Sequence, residues 1–299
     1  MIRLCNLRIE TKPVQANIQN AVGFSVSQLD ISSRNSDFWN ELCGSQLAKF
    51  LGITDSSPQS LKKFDDWYFD FYPYLFDHIP FADLAGHDVL EVGLGYGTVS
   101  QRLAQTGAKY VGLDIAQGPV QMANHRLAQQ ALPGRATQGS ILEPPFADGS
   151  FDAIVAIGCL HHTGNLALAI ERCRSLLRPG GRLIFMVYYA YSYRRFRMAP
   201  AATTRQIFKE IFGYRNVVGG SGDRERAAYD SGASGEAAPH TDWISVTSLR
   251  ALCGRFSSFS AKIENIDQER PFSRTPRAEL LTTRWPSIVG LDLYATARK

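Results

Sequence analysis

The stretch Asp88–Ser100, DVLEVGLGYGTVS, decides the fold. A short apolar run ends in Gly93, and glycines follow at alternate positions, Gly95 and Gly97. A glycine turn at the end of a strand lets the backbone approach a ligand where a Cβ would clash. A helix starting near Thr98 presents free N–H groups there, which favour polar or negative ligand groups. The pattern predicts a strand–turn–helix unit that holds a nucleotide-like cofactor.

Working outward, KYVGLDI reads as a second strand and PVQMANHRLAQQAL as a helix with proline in its first turn. RATQGSI is a weaker strand, FDAIVAIG a buried one, LALAIERCRSLLRPGG a helix stopped by Pro179 and Gly180, and RLIFMVYY a further strand. Repeated strand–helix units predict a parallel sheet covered on both faces. Before it, SDFWNELCGSQLAKFLGI has helical spacing with Ser36 or Asp37 as a cap. An aromatic-rich stretch broken by Pro73 and Pro80 follows. Its Trp67, Tyr68, Tyr72 and Tyr74 either pack on the core or line a substrate pocket. After Ala190 the alternation lapses. APAATTRQIFKEIFGY reads as a helix, and GGSGDRERAAYDSGASGEAAPHTDW, small, polar and glycine-rich, as a mobile loop. VTSLRALCGRF then predicts a helix, and FSAKIENI and VGLDLYATARK predict strands.

The 299 residues and formal charge of +4 suit a soluble globular chain. The charge permits an anionic small substrate but lacks the concentrated basic patch of a nucleic-acid binder. The first residues contain no apolar core of signal-peptide length, and no apolar run is long enough to span a membrane. Five scattered cysteines, Cys5, Cys43, Cys159, Cys173 and Cys253, form no Cys-x-x-Cys pair. They read as reduced thiols of a cytoplasmic protein, not as a disulfide frame or a metal site.

Two cofactors compete for the glycine turn. Asp114, at the end of the second strand, can accept hydrogen bonds from ribose hydroxyls of either. The dinucleotide fingerprint needs a third glycine for close helix packing, and Thr98, Val99 and Ser100 stand where it would fall. Glu91 also lies inside the first strand. A buried carboxylate is costly unless paired. It suits the ammonium group of a methionine-like moiety and would repel a pyrophosphate. The residues favour S-adenosylmethionine over NAD.

VLEVGLGYG, VGLDIA, GSILEPPFADGSFDAIVAIGCLHHT and LLRPGGRLIFMVY resemble, in order, the successive motifs of the class I S-adenosylmethionine-dependent methyltransferases, nearest the branch acting on small molecules. The resemblance covers roughly Asp88 to Tyr189. It implies a three-layer α/β, Rossmann-like sheet of seven strands whose last strand, LDLYATARK, runs antiparallel. Residues 1–84 would form a helical arm or lid, and 85–299 the catalytic domain with an insertion at about 190–245. The resemblance places Glu91, Gly93, Gly95 and Gly97 around the methionine end of S-adenosyl-L-methionine. Asp114 would hold the ribose and Ile115 would pack on the adenine. Ile157 and Gly158 would lie beside the sulfonium. Where the family often has Asp against the adenine amino group this chain has Ser140, followed by Ile141; a hydroxyl accepts less strongly than a carboxylate. The product would be S-adenosylhomocysteine (SAH).

Methyl transfer needs alignment above all, which supplies about 7–11 kcal/mol in favourable cases. A general base adds about 10²–10⁴-fold. His161 and His162 follow the fourth strand, at the edge where such sheets bind ligands. If the segment is extended their rings point apart, which argues against a shared metal. One of them contacts substrate or acts as base, or both only satisfy hydrogen bonds. Cys159 reads as a packed thiol. YYAYSYRRFR, with Tyr189 and Tyr193, either closes over an anionic aromatic substrate or forms a basic surface helix. In PHTDW, His240, Asp242 and Trp243 either order over substrate or anchor the next helix. The expected partner is a small molecule, with no membrane and no nucleic acid, for a monomer or homodimer. The competing functions are an RNA or other macromolecule methyltransferase, a cofactor-binding protein of this fold without transfer, and a nicotinamide oxidoreductase.

Overall fold

The computed structural model describes residues 26–219 and 222–299. The N-terminal segment read above for a leader, including Cys5, and positions 220 and 221 lie outside the described residues. Helices α1 (Val26–Asn40), α2 (Ser45–Phe50), α3 (Pro58–Phe71) and α4 (Leu75–His78) come first. The alternation follows: β1 (Asp88–Val92), α5 (Thr98–Gln105), β2 (Lys109–Asp114), α6 (Gln117–Gln129), β3 (Arg135–Gln138), β4 (Phe151–Ile157), α7 (Leu166–Leu176) and β5 (Leu177–Tyr189). Then come α8 (Tyr193–Met198), α9 (Pro200–Ile211), α10 (Asp223–Ala227), β6 (Trp243–Ile244) and α11 (Val246–Leu252). The chain closes with β7 (Ser258–Glu264), α12 (Arg277–Thr282), α13 (Trp285–Val289) and β8 (Asp292–Arg298).

The strands form one sheet in the order β3-β2-β1-β4-β5-β8-β7, with β6 paired to the end of β5. β1 to β5 are parallel, and β8 is antiparallel to both neighbours. The expected Rossmann-like sheet with its reversed last strand is present. The two-residue β6 is an addition that no periodicity in the sequence announced. Because strand side chains alternate, each strand feeds two cores. Leu90, Ile154 and Leu183 face the α7 and α11 side, while Val89, Val155 and Ile184 face α4 and α5. The strand order turns back between β1 and β4, and this switch point opens a crevice at the carboxyl ends of the strands.

The region before β1 differs from the sequence expectation in the bounds and capping of its first helices. The first helix begins at Val26, not near Ser36, and stops at Asn40. Gly44, at φ 106°, turns the chain into α2, and a Cβ there would stand 2.6 Å from the Phe64 ring. Ser36 caps nothing; its hydroxyl donates to the Ile115 carbonyl at 3.1 Å. α3 begins as sequence rules favour, with Ser57 accepting from the Ser60 amide and proline in the first turn.

α3 is clasped to the sheet by one buried ion pair. Arg126 of α6 is fully buried and donates to Asp65 of α3 at 2.9 Å. Thr98, at the start of α5, donates to the other oxygen of Asp65 at 2.7 Å. Gly97 makes room: a Cβ there would lie 2.8 Å from Arg126 Cδ.

The glycine-rich segment after α9 is more ordered than its composition suggests. It holds α10 and a short turn closed by a bridge between Ser231 and Ala237. Asp230 accepts from the Tyr188 hydroxyl at 2.9 Å, and Arg226 Nε donates to the Ala238 carbonyl at 2.8 Å. The buried Ala238 and the half-buried Tyr188–Asp230 pair outweigh a flexible composition.

Removing one partner from a buried ion pair costs about 3–5 kcal/mol, because the other charge is stranded. Asp65→Ala should therefore lower the unfolding free energy by about that much, read from denaturant midpoints. Asp65→Ala with Arg126→Met should recover most of the loss; a double variant no more stable than the single one would contradict the clasp.

Candidate active site

A cavity of about 390 Å³ occupies the crevice. Its floor is the glycine turn. Gly93 and Gly95 have φ of 77° and 51°, in the left-handed region. At Gly93 the demand is double, since a Cβ would sit 2.4 Å from Cys159 Cβ. The Cys159 thiol donates to the Val92 carbonyl at 2.9 Å and acts as packing between β1 and β4. Glu91, Gly93, Gly95, Asp114, Ile115, Ser140, Ile141, Ile157 and Gly158 all line the cavity. Gly97 does not, since it faces Arg126 behind the turn.

Glu91 is a buried carboxyl on the cavity wall. Its Oε2 accepts from the Ser100 hydroxyl at 2.6 Å and the Tyr110 hydroxyl at 2.7 Å. Burial pushes its pKa up to about 8, and the two hydroxyls resist the shift. Asp114 accepts the Leu94 amide at 2.7 Å on one oxygen and the Ala116 amide at 2.9 Å on the other. Burial raises it to about 6. A carboxylate has about four lone-pair sites, so capacity for ribose hydroxyls remains. Among the described residues no lysine or arginine lines the cavity. A pyrophosphate would therefore meet two carboxyls and no compensating cation, whereas an ammonium and a sulfonium fit the same wall. The residues present suit S-adenosylmethionine and disfavour a dinucleotide.

The opposite wall comes from the arm. Asn35 and Trp39 of α1, Phe64, Trp67 and Tyr68 of α3, and Tyr72 after it face the cavity. Tyr74 does not; it packs on Tyr294 in the core at 5.5 Å. Phe64 stacks on Tyr96 of the glycine turn with centroids 4.2 Å apart. α1 is pinned over the sheet edge, with the Asn35 amide donating to the His162 carbonyl at 2.6 Å and Gln28 to the Thr163 carbonyl at 2.7 Å.

The histidines separate into different roles. His161 and His162 lie in a short 3-10 turn rather than an extended segment. Their rings therefore meet, with centroids 4.1 Å apart, instead of pointing to opposite sides. His161 is fully buried outside the cavity wall, and burial drives its pKa well down. His162 is on the wall, with its ring 4.8 Å from that of Trp39. Its Nδ1 donates to the His240 carbonyl at 2.7 Å, which leaves Nε2 as the basic nitrogen. Nε2 is buried and has no hydrogen-bond partner among the described residues; Asp230 Oδ2 stands 3.5 Å away. Burial lowers the pKa of His162 and raises that of Asp230, while each partner's charge opposes the shift.

The remaining sequence candidates stand away from the cavity. The His240 ring pairs with Asp242 at 2.9 Å, so its backbone carbonyl, not its imidazole, serves the site. Asp242 donates its amide to the His161 carbonyl at 2.8 Å. Trp243 is buried in β6 under the Arg195 guanidinium, 4.5 Å from the ring centroid, and Ser245 caps α11. PHTDW thus anchors the next elements. Tyr189 packs on Tyr191, and the Tyr193 hydroxyl donates to Glu269 at 2.7 Å. The arginines of this stretch are spoken for: Arg194 by Asp267 and Glu269, Arg195 by Glu225, Arg197 by Glu269. None is left to close over an anionic substrate. Sequence reading missed Asn35, Trp39, Tyr96 and Asp230. Only Tyr96, inside the glycine turn, carried a local signal; the others reach the site through distant packing.

Residues 90–185 match a family model described as Methyltransferase domain. A demethylmenaquinone methyltransferase of Tropheryma whipplei is 37% identical over 117 residues, 39% of this chain and 46% of that protein. A ubiquinone biosynthesis O-methyltransferase of Nitrosococcus oceani is 33% identical over 105 residues, 35% of this chain and 44% of that one. The chain thus spans less than half the length of these curated relatives. Among solved structures, a putative methyltransferase complexed with the Haloferax volcanii Trm112 methyltransferase activator is similar, with TM-score 0.53, 15% identity, and coverage of 90% of this chain and 97% of that one. A magnesium protoporphyrin IX methyltransferase from Synechocystis with bound SAH gives TM-score 0.50 and 15% identity over 90% of this chain and 100% of that one. These likenesses show the fold.

Glu91 generates a prediction of definite sign. Between the ordinary carboxyl range near pH 4.5 and about 8, the folded chain keeps a proton that the unfolded chain has released. Stability must then fall as pH rises through that window, by at most about 1.4 kcal/mol per pH unit. Glu91→Gln should flatten this decline in Tm relative to the parent. Parallel Tm–pH curves for the two proteins would refute it.

Proposed function

We propose that this chain, which carries a class I S-adenosylmethionine-dependent methyltransferase domain over residues 90–185, moves a methyl group to a compact, uncharged aromatic acceptor. The observation that carries the reading is the two-sided cavity: acids and glycines of the sheet on one wall, aromatic rings of the arm on the other, and no lysine or arginine among the described lining residues. The resemblance of the glycine turn to the family motifs supports the cofactor half. The named activities of the two curated relatives, one on demethylmenaquinone and one in ubiquinone biosynthesis, support a small-molecule acceptor.

When bound, the cofactor supplies a methyl group already activated on a sulfonium. Glu91, Gly93 and Gly95 would hold its methionine end, Asp114 its ribose, and Ile115, Ser140 and Ile141 its adenine. Trp39, Trp67, Tyr68 and Tyr72 orient the acceptor by ring contact, which is worth about 0.5–1.5 kcal/mol per pair beyond the area buried. Closure by the arm excludes water, so alignment supplies most of the rate. His162 takes the acceptor's proton at Nε2. An unpartnered buried nitrogen on a cavity wall is where a ligand O–H completes the hydrogen bonding. Asp230 then offsets the positive charge on the ring.

Calorimetry should show binding of S-adenosylmethionine and SAH and none of NAD; NAD binding without adenosyl-cofactor binding would overturn the reading. With a hydroxylated aromatic acceptor found by mass gain, His162→Gln should lower kcat by about 10²–10⁴-fold while leaving cofactor affinity intact. An unchanged kcat would remove the proton-transfer role and leave alignment alone.

A further inference from the structure

α9 is built inside out. Its buried positions are polar: Thr203 donates its hydroxyl to the Ala199 carbonyl at 2.8 Å, and Gln206 donates to Asn216 at 2.6 Å. Its solvent face and the turn after it carry Phe208, Ile211, Phe212 and Tyr214, which are 57%, 70%, 79% and 64% exposed. Phe208, Ile211 and Phe212 stand three and four residues apart, so they share one face. A contiguous exposed apolar patch of this kind marks a contact surface.

The charges around the patch select its occupant. Arg205, Lys209 and Arg215 are exposed beside it. Glu210, the one acid of α9, is turned inward to Tyr191 and Ser245. A second copy meeting this face across a two-fold axis would bring like charges together. A stable protein partner would need roughly 800 Å² on each side, far more than one helix end offers. An interfacial contact needs only a few projecting apolar side chains flanked by bases. No helix among the described residues is long and apolar enough to cross a membrane, so the contact is peripheral.

We propose that the C-terminal end of α9, with Phe208, Ile211, Phe212 and Tyr214 inserted and Arg205, Lys209 and Arg215 at the headgroups, docks this protein on an anionic lipid surface. This goes beyond the sequence reading, which expected no membrane partner, and it stands apart from methyl transfer.

The test is cosedimentation of the full chain with phosphatidylcholine vesicles and with mixed phosphatidylcholine–phosphatidylglycerol vesicles. The parent should sediment with the mixed vesicles and far less with the neutral ones. Phe208→Ser with Phe212→Ser should abolish sedimentation, and each of Arg205→Gln, Lys209→Gln and Arg215→Gln should weaken it about fivefold. All five positions are exposed, so Tm should hold in every variant. Failure to sediment with mixed vesicles overturns the proposal. So does binding that ignores the substitutions, or a dimer on size exclusion that the serine variant dissolves.

Discussion

The Asp65–Arg126 pair is the constraint on which the site rests. Arg126 has no solvent exposure, so its charge is tolerable only while Asp65 stays in place. Asp65 sits on α3, the helix whose aromatic residues form the far wall of the cavity. Arg126 sits behind Gly97, at the end of the turn that forms the floor. One ion pair therefore ties the glycine-turn wall of the cavity to its aromatic wall. Thr98 adds a hydrogen bond from the first turn of α5, which ties the same carboxylate to the helix that follows the turn.

The sheet was legible because its signals are local. Buried runs such as FDAIVAIG, and glycines at turns that require positive φ, announce themselves within a dozen residues. The glycine turn, Asp114 and Glu91 were legible for the same reason: each is chemistry placed at a fixed offset from a strand end. What the sequence did not disclose depends on partners far along the chain. Nothing near Arg194 reveals that Asp267 and Glu269 will neutralise it, so a basic stretch looked available to a substrate. Asp230 lay in a segment whose composition suggested motion, yet its hydrogen bond from Tyr188 holds it beside His162. The histidine pair was misjudged in geometry because a three-residue 3-10 turn leaves no periodic trace.

Two kinds of polar burial coexist in the molecule. Around Glu91 and Asp114 the partners are close hydroxyls and amides that do not themselves change charge in the ordinary pH range. Around His162 and Asp230 two titratable groups stand 3.5 Å apart with no hydrogen bond between them, and each one's charge opposes the shift that burial imposes on the other. The first arrangement suits holding a ligand of fixed charge. The second suits a proton that has to change owner.

The tip of the glycine-rich segment touches the arm at Ala233, through Glu41 at 3.0 Å and Gln46 at 3.5 Å, beside the cavity-lining Cys43 and Gly44. Both bonds are exposed, so water replaces either partner at little cost. At this seam segment and arm meet through exposed hydrogen bonds, whereas the clasp beneath α3 holds a fully buried arginine. Opening this seam would give access to the cavity without breaking the ion pair that holds its walls.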